Sequence, residues 1–283
     1  MSVKLLAQFC VFIILCSSAN CNFGEVLNKN KNFIFFESTA YKDRSSFFNY
    51  GFIAIEELAV SLFWDKGDDM NALPDKHKFC SVIRNVKSHY EWVVIDVEHW
   101  ILNARWKSQD PVRDNMEKYI TIMNWARECR ADLKFGLYAT APIIDHQYVL
   151  KDMSTTEYQF WKKQNLALKE LVNVVDALFP SLYTVYDEPE IWDRLARRYI
   201  SMAREIAGEK PIYPYIWPRY HQGNKNKKGQ FVSGELWRFQ LELVYELADG
   251  VVVWGGWRHG PMDWDENKEW WYETKDFIST VNK

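Results

Sequence analysis

The segment Trp92-Val-Val-Ile-Asp-Val-Glu-His-Trp100 is an apolar run that ends in two carboxylates separated by one residue. Four of its residues are β-branched, which favours a buried β-strand over a helical turn. Because side chains alternate between the faces of a strand, Asp96 and Glu98 are predicted to point the same way, about 6 to 7 Å apart along the chain. Like charges this close raise the pKa of one member, so one carboxyl keeps its proton near neutral pH while the other is ionised.

Six further apolar runs with helical segments between them are spread along the chain. With the first segment they give seven predicted strands: residues 33–37, 58–64, 92–97, 134–138, 176–183, 211–217 and 249–254. Consecutive starts are 25 residues apart at the least (33 to 58) and 42 at the most (92 to 134), enough for a helix and a parallel crossover. This alternation predicts an α/β fold, a distorted TIM-like (β/α) barrel of about seven parallel strands, with an open doubly wound sheet as the alternative.

Helix signals stand in three of the gaps. The predicted helices are 158–175 behind a capping box of Ser154 and Glu157, 190–207 with Gly208 as its stop, and one that Ser233 caps and that ends near Leu247. The segment 45–57 fits a helix and a strand equally. No glycine-rich phosphate loop follows the first strand, which weighs against the doubly wound sheet and against a nucleotide-dependent oxidoreductase.

The beginning of the chain carries the pattern of a secretory signal peptide. A basic residue precedes an apolar run over 5–15, and Ser17 and Ala19 fit the small-residue positions of a cleavage site. The run is too short to span a bilayer, and no later stretch approaches about 20 apolar residues. We therefore expect residues 1–19 to be removed and residues 20–283 to fold as one secreted, extracellular (β/α) domain.

Cysteine, charge and aromatic content narrow the class of protein. Cys21, Cys80 and Cys129 remain after the predicted cut, and Cys80 and Cys129 either pair as a disulfide or stay as buried thiols. A net charge of −3 argues against nucleic-acid binding, and no residue spacing suggests a metal or another cofactor. The aromatic content of 16% supplies stacking platforms for sugar rings if the protein has a groove.

In a barrel of parallel strands, the chemistry gathers where the strands end. The predicted ends carry acidic and aromatic side chains: Glu37, Asp65, Asp96 with Glu98, Tyr138, Tyr183, Tyr215 with Trp217, and Trp254, while Trp100 follows the acidic pair. Two close acids ringed by Tyr and Trp are typical of a groove that cleaves glycosidic bonds. A salt-bridge network is the other explanation for such a pair, and any single Tyr or Trp also suits a core. Arg105, Lys107, Arg219 and Arg258 follow the same ends and suit an anionic polymer.

Residues 94–100, Val-Ile-Asp-Val-Glu-His-Trp, resemble the Asp-x-Glu-x-Trp strand of the hyaluronidases, glycoside hydrolase family 56. Four more segments are similar to that family and follow in its order: 136–139 (Gly-Leu-Tyr-Ala), 178–183 (Leu-Phe-Pro-Ser-Leu-Tyr), 214–220 (Pro-Tyr-Ile-Trp-Pro-Arg-Tyr) and 248–255 (Ala-Asp-Gly-Val-Val-Val-Trp-Gly). The resemblance implies a distorted barrel and a retaining endo-N-acetylhexosaminidase whose substrate supplies its own nucleophile.

The resemblance also implies the roles of individual residues. Glu98 is expected to be the general acid and base, and Asp96 to hold and polarise the 2-acetamido group of the substrate. The expected substrate-binding residues are Tyr183 and Tyr215 at the acetamido sugar, Trp254 beneath it, and, from the other strand ends, Tyr138, Trp217 and Trp100.

The hypothesis from the sequence is a secreted, metal-independent glycoside hydrolase that cleaves a glycosaminoglycan-type polysaccharide. Two features depart from the family: Ile101-Leu102 stands where Arg-Pro usually follows the Trp, and its first-strand Trp-Asn-x-Pro pattern is absent from 33–41. A non-catalytic carbohydrate-binding protein on the same barrel is the alternative.

Overall fold

The computed structural model describes residues 31–42, 46–106, 109–256 and 264–282. The predicted signal peptide, Cys21, Lys107 and Arg258 lie outside these ranges. No helix within them has the length and apolar character needed to cross a membrane.

Within these ranges the chain forms seven strands and nine α-helices that largely alternate. The strands are β1 (Ile34–Ser38), β2 (Ile53–Ala54), β3 (Glu56–Ala59), β4 (Trp92–Asp96), β5 (Lys134–Leu137), β6 (Tyr215–Ile216) and β7 (Gly250–Trp254). The helices are α1 (Ser46–Asn49), α2 (Lys76–Arg84), α3 (Gln109–Cys129), α4 (His146–Val149), α5 (Thr156–Leu166), α6 (Lys169–Asn173), α7 (Pro189–Ala207), α8 (Gly234–Leu247) and α9 (Glu269–Val281).

The strands pair in parallel in two sheets, ordered β2-β1-β7-β6 and β3-β4-β5. Ile55 alone separates β2 from β3, so one segment pairs first with β1 and then with β4. On the opposite side, isolated parallel bridges join Tyr138 to Phe179 and Ser181 to Tyr215. The predicted α/β fold, a distorted barrel of parallel strands, is confirmed.

Two strand predictions were wrong in detail. The second strand ends at Ala59, and Val60–Leu62 is a 3₁₀ turn. The apolar residues that follow pack in the core instead, where the ring of Phe63 stacks on that of Phe79 with centroids 4.8 Å apart. Residues 176–183 form only isolated bridges, because Pro180 in the middle of the segment has no N–H to donate to a ladder.

One helix prediction also needs correction. The predicted helix over 158–175 is divided into α5 and α6. Thr155, not Ser154, is the N-cap of α5. The Thr155 hydroxyl accepts a hydrogen bond from the Tyr158 backbone N–H at 3.3 Å. The predicted helix end at Gly208 and the Ser233 cap are confirmed.

Alternating side chains fill the barrel interior with aromatic rings. Trp92 and Val94 of β4 point inward and pack against Phe36 and Phe179, while Val93 and Ile95 face the surrounding helices. The interior is so crowded that a Cβ at Gly136 would overlap the Phe179 ring. Five tryptophans are fully buried: Trp100, Trp161, Trp237, Trp270 and Trp271. Much of the aromatic content therefore belongs to the core.

A disulfide joins two helices on the outside of the β3-β4-β5 sheet. Cys80 of α2 is bonded to Cys129, the last residue of α3, with Cα atoms 5.6 Å apart. Of the two alternatives left open by the sequence, the structure has the disulfide.

Candidate active site

The carboxyl ends of the strands surround a cavity of about 510 Å³. Its lining comes from every strand region of the barrel, and six of the eight predicted site residues belong to it: Asp96, Glu98, Tyr138, Tyr183, Trp217 and Trp254. The period-two alternation of the strands brings these side chains together, because each lies on the inward face just beyond the interior aromatic layer.

Asp96 and Glu98 form a hydrogen-bonded carboxyl pair on one wall of this cavity. Asp96 is the last residue of β4 and is partly buried, whereas Glu98 follows the strand and is exposed. Among the described residues, no hydrogen-bond donor reaches Asp96 Oδ1, although this oxygen is buried. A buried oxygen left in this state is costly, because its lost contact with water is not replaced.

Both carboxyl groups are held above their ordinary pKa. Burial is the main cause that raises the pKa of Asp96 to about 8, and the negative charges of Glu98 and Glu57 raise it further. Partial loss of water contact within the cavity also raises the pKa of Glu98, while the hydrogen bond with Asp96 opposes that rise. The two carboxyls therefore titrate as one unit that keeps a shared proton at neutral pH. The sequence analysis did not include the charge of Glu57, which helps to keep that proton in place.

Glu57 is a further carboxylate of the cavity that the sequence analysis missed. It lies in β3, where its side chain accepts hydrogen bonds from Ser38 Oγ at 3.1 Å and Trp254 Nε1 at 3.3 Å. The predicted strand began at Leu58, which placed Glu57 before the strand. The alternation of Ile55, Glu57 and Ala59 on the cavity side was the available signal.

The opposite wall is a cluster of aromatic rings centred on Tyr183. Its ring centroid lies 5.5 Å from that of Trp254, 5.8 Å from Trp217 and 6.0 Å from Tyr138. Trp217 and Trp254 meet edge to face at 4.9 Å. Tyr138 is fixed by the hydrogen bond that its hydroxyl donates to Ser181 Oγ at 3.1 Å. The cluster presents a rigid, apolar surface with a hydroxyl edge, which suits a pyranose ring.

Two predicted binding residues lie behind the cavity surface. Tyr215 is fully buried, and its ring meets that of Tyr138 with centroids 4.9 Å apart. Trp100 is buried against Trp64 and Tyr119, and its indole Nε1 donates to the Met70 carbonyl at 2.9 Å. Tyr215 therefore supports the wall, and Trp100 packs beneath the segment that follows Glu98.

Two other acids at the predicted strand ends have structural partners. Glu37 lines the cavity but is buried, and its Oε1 accepts from the Thr39 backbone N–H at 2.7 Å. Asp65 forms an ion pair with Lys78 at 2.7 Å. Neither Glu37 nor Asp65 forms a carboxyl pair of the kind that Asp96 and Glu98 form.

Two histidines complete the far end of the cavity. His146 and His221 both line it, and burial lowers the pKa of each, that of His146 to about 4. Their imidazoles are therefore neutral at neutral pH and offer hydrogen bonds in place of charge. Within the described part of the chain, no group of His, Cys, Asp and Glu could hold a metal ion.

The fold is similar to that of bee venom hyaluronidase. One crystal structure of that enzyme superimposes with a TM-score of 0.60 at 15% identity, covering 89% of this chain and 100% of the other. A second, in complex with a hyaluronic acid tetramer, gives 0.61 at 15% identity and covers 89% and 96%. At this identity the likeness to bee venom hyaluronidase concerns the fold.

The chain also matches a glycosidase structure with a lower TM-score. A putative alpha-L-fucosidase from Bacteroides thetaiotaomicron has a TM-score of 0.48 at 8% identity, covering 95% of this chain and 99% of that one. No family model and no curated protein sequence matches the chain.

Proposed function

We propose that the protein is a glycoside hydrolase that cleaves an N-acetylhexosaminide bond within a polysaccharide by a retaining, substrate-assisted mechanism. The observation that carries the proposal is the hydrogen-bonded Asp96 and Glu98 pair, with its buried, unsatisfied Asp96 Oδ1, facing an aromatic wall across a cavity. The similarity in fold to bee venom hyaluronidase, a structure of which holds a hyaluronic acid tetramer, supports the same chemistry.

In this proposal the substrate supplies the donor that Asp96 lacks. The N–H of the 2-acetamido group donates to Asp96 Oδ1, and the acetamido group gains positive charge as its carbonyl oxygen attacks the anomeric carbon. Both effects favour an ionised Asp96. The proton that the pair shares in the free site is therefore placed on Glu98, which becomes the acid.

The bond changes then balance over two steps. As the acetamido oxygen bonds to the anomeric carbon, the bond from that carbon to the leaving oxygen breaks, and Glu98 gives its proton to that oxygen. Water next adds to the same carbon, Glu98 accepts a proton from it, and the acetamido group is restored. Two inversions at one carbon retain its configuration, and neither carboxylate bonds to the sugar.

The proposed sugar contacts follow from the cavity wall. Tyr183, Trp217 and Trp254 would stack on or floor the acetamido sugar, and Tyr138 would border it beside Glu98. Tyr215 would act through the wall that it supports.

Internal cleavage is supported by the extent of the groove. One neighbouring cavity of about 410 Å³ shares Thr39, Ala40 and Tyr90 with the first. Another, of about 240 Å³, shares Glu98 and Tyr138. The carboxyl pair therefore lies along a groove that extends beyond it in more than one direction, as an endo-acting enzyme requires.

The polymer and the location are further parts of the proposal. The family resemblance favours a glycosaminoglycan-type polymer, and the Cys80–Cys129 disulfide suits a protein secreted into an oxidising compartment. Arg105 and Arg219 give the anionic polymer little support. The first pairs with Asp145 at 2.8 Å, and the second lies 3.7 Å from the Phe231 ring centroid.

Turnover tests the proposal. Hyaluronan, chondroitin and chitin oligosaccharides are incubated with the protein, and new reducing ends are counted. Glu98→Gln should lower cleavage by about 10²-fold to 10⁴-fold while binding by calorimetry is retained. Glu117→Gln, an exposed ion-paired Glu on α3, is the matched control and should cleave like the parent. Binding without cleavage by the parent would support the carbohydrate-binding alternative and refute the enzyme.

A further inference from the structure

The cavity of about 240 Å³ adjoins the first one across Glu98. The two share Glu98, Tyr138, Ala139 and Ile144. The rest of its lining is mostly apolar and comes from the segment after β4 and the loop after β5: Val97, Trp100, Ile101, Leu102, Trp106 and Ile143. Glu98 thus stands at the junction of two cavities that differ in chemical character.

The polar side chains of this second cavity are already satisfied by the protein. Thr140 Oγ1 donates to the Tyr138 carbonyl at 2.9 Å, and the Tyr119 hydroxyl donates to the Val97 carbonyl. Asn103 Nδ2 donates to Asp145 at 2.9 Å. Among the described residues that line the cavity, Glu98 alone carries an ionisable carboxylate, and no Lys or Arg is present.

The segment that forms the outer wall is fixed in place. Asn115 Nδ2 donates to the Ile101 carbonyl at 3.0 Å, and the Ala104 backbone N–H donates to Gln164 Oε1 at 2.6 Å. Arg105 is held by Asp145 on the side away from the cavity lining. On this support Trp106 remains 55% exposed at the cavity rim. A large ring held out by a braced loop is suited to stack on a sugar.

We infer that this second cavity receives the leaving-group sugar and selects an uncharged sugar over a uronate. The inference rests on the proposed function and narrows its polymer. A general acid must reach the oxygen between two sugars, so cavities on either side of Glu98 hold the two partners of that bond. A carboxylate placed among Ile101, Leu102 and Trp106 would lose water without gaining a cation from the described residues that line the cavity. The apolar face of a neutral hexose would instead pack on Trp106.

Two oligosaccharides with the same β-1,4 bond after N-acetylglucosamine separate these cases. Chitohexaose has N-acetylglucosamine as its leaving sugar, and a hyaluronan hexasaccharide has glucuronate. We expect kcat/KM to be at least tenfold higher for chitohexaose. Trp106→Ala should lower kcat/KM for chitohexaose by about threefold to tenfold, the worth of an aromatic contact, and should change the hyaluronan value less.

Ile101→Arg tests whether this cavity sets the preference. A guanidinium added to the cavity should shift the ratio of the two kcat/KM values toward hyaluronan. Tyr272→Ala removes an aromatic ring on α9 that is 50% exposed, far from the carboxyl pair in sequence, and should leave the ratio unchanged. Preferential cleavage of hyaluronan, or an unchanged ratio in both Trp106→Ala and Ile101→Arg, would overturn the inference and leave the glycosidase proposal standing.

If neither oligosaccharide is cleaved, cleavage of chondroitin decides whether the proposed function stands, and binding decides the role of the second cavity. Calorimetry with chitohexaose should show a dissociation constant about threefold to tenfold higher for Trp106→Ala than for the parent. Equal dissociation constants would refute a sugar contact at Trp106.

Discussion

Glu57 accepts a hydrogen bond from the indole Nε1 of Trp254 at 3.3 Å, so this carboxylate of the cavity is bonded to the aromatic wall. Ser38 Oγ donates to the same carboxylate at 3.1 Å. Glu57 is therefore held near Asp96, and its negative charge is one cause of the raised pKa of that residue.

Replacement of Glu57 by Gln should shift the pH dependence of cleavage. The pair needs one proton to act, and it loses that proton as the pH rises through the pKa of Asp96, about 8. Removal of the Glu57 charge lowers this pKa, so the basic limb of kcat/KM against pH should move to lower pH. Gln keeps an oxygen to accept from Trp254.

Glu91→Gln is the matched control for this profile, because Glu91 immediately precedes β4, is exposed, pairs with Lys134 and lines none of the three cavities described above. Its basic limb should coincide with that of the parent. A Glu57→Gln profile that also coincides with the parent would contradict the proposed coupling of Glu57 to Asp96.

Asp96→Asn should stabilise the protein at high pH while abolishing cleavage. The folded-state pKa of about 8 lies above the ordinary value near 4, so between these values the folded state holds a proton that the unfolded chain releases. Stability contributed by this group therefore falls as the pH rises from about 4 to 8 and stays low above it. Asn resembles the protonated side chain and avoids this loss.

The free energy of unfolding in urea at pH 5 and pH 9 tests this effect. Asp96→Asn should exceed the parent by about 1 to 3 kcal/mol at pH 9, and the gap should shrink at pH 5. Asp132→Asn should show no gain, because its carboxylate is exposed and its hydrogen bond with Arg130 lowers its pKa. If the difference in unfolding free energy between Asp96→Asn and the parent is the same at pH 5 and pH 9, the raised pKa of Asp96 is contradicted.

Loss of the Cys80–Cys129 disulfide should lower the free energy of unfolding and leave the geometry of the active site unchanged. The two residues are 49 positions apart, and the release of a loop of this length costs about 3 to 4 kcal/mol in the chain-entropy account. Urea unfolding of the Cys80→Ala, Cys129→Ala double variant should show this loss. Adding a reductant should destabilise the parent and leave the double variant unchanged. Equal stabilities would show that the disulfide contributes little.

Gly136→Ala tests the crowding of the barrel interior. Its new methyl group would overlap the Phe179 ring, so we expect a loss of about 1 to 3 kcal/mol in unfolding free energy. A second change, Phe179→Leu, makes room and should recover part of that loss when combined with Gly136→Ala. If the double variant is no more stable than the sum of the single changes predicts, the overlap is not the cause.

The architecture was predictable because its signals are local. The β-branched run of β4, the Ser233 cap and the glycine stop of α7 depend on neighbours within a few residues. The register of β3 was not, because the apolar stretch around Phe63 serves the core as a turn and carries the same composition as a strand.

The candidate site was also predictable only where its signals are local. Alternation along β4 is enough to place Asp96 and Glu98 on one face, and position at a strand end is enough to bring Tyr183 and Trp254 near them. Burial depth is decided by distant segments, so the sequence could not separate the buried Trp100 from exposed rings. It also could not foresee that Glu57 lies near the carboxyl pair and helps to raise the pKa of Asp96.

The chain changes strand partners at Ile55, so the two sheets are connected differently on the two sides of the barrel. On that side a single covalent segment fastens the two sheets together, because β2 belongs to one and β3 to the other. Across the barrel, single bridges at Phe179 and Ser181 form a seam. Tyr183 follows this seam, so its wall is joined to the neighbouring strands by separate bridges and backbone hydrogen bonds, whereas the carboxyl pair follows a continuous parallel ladder.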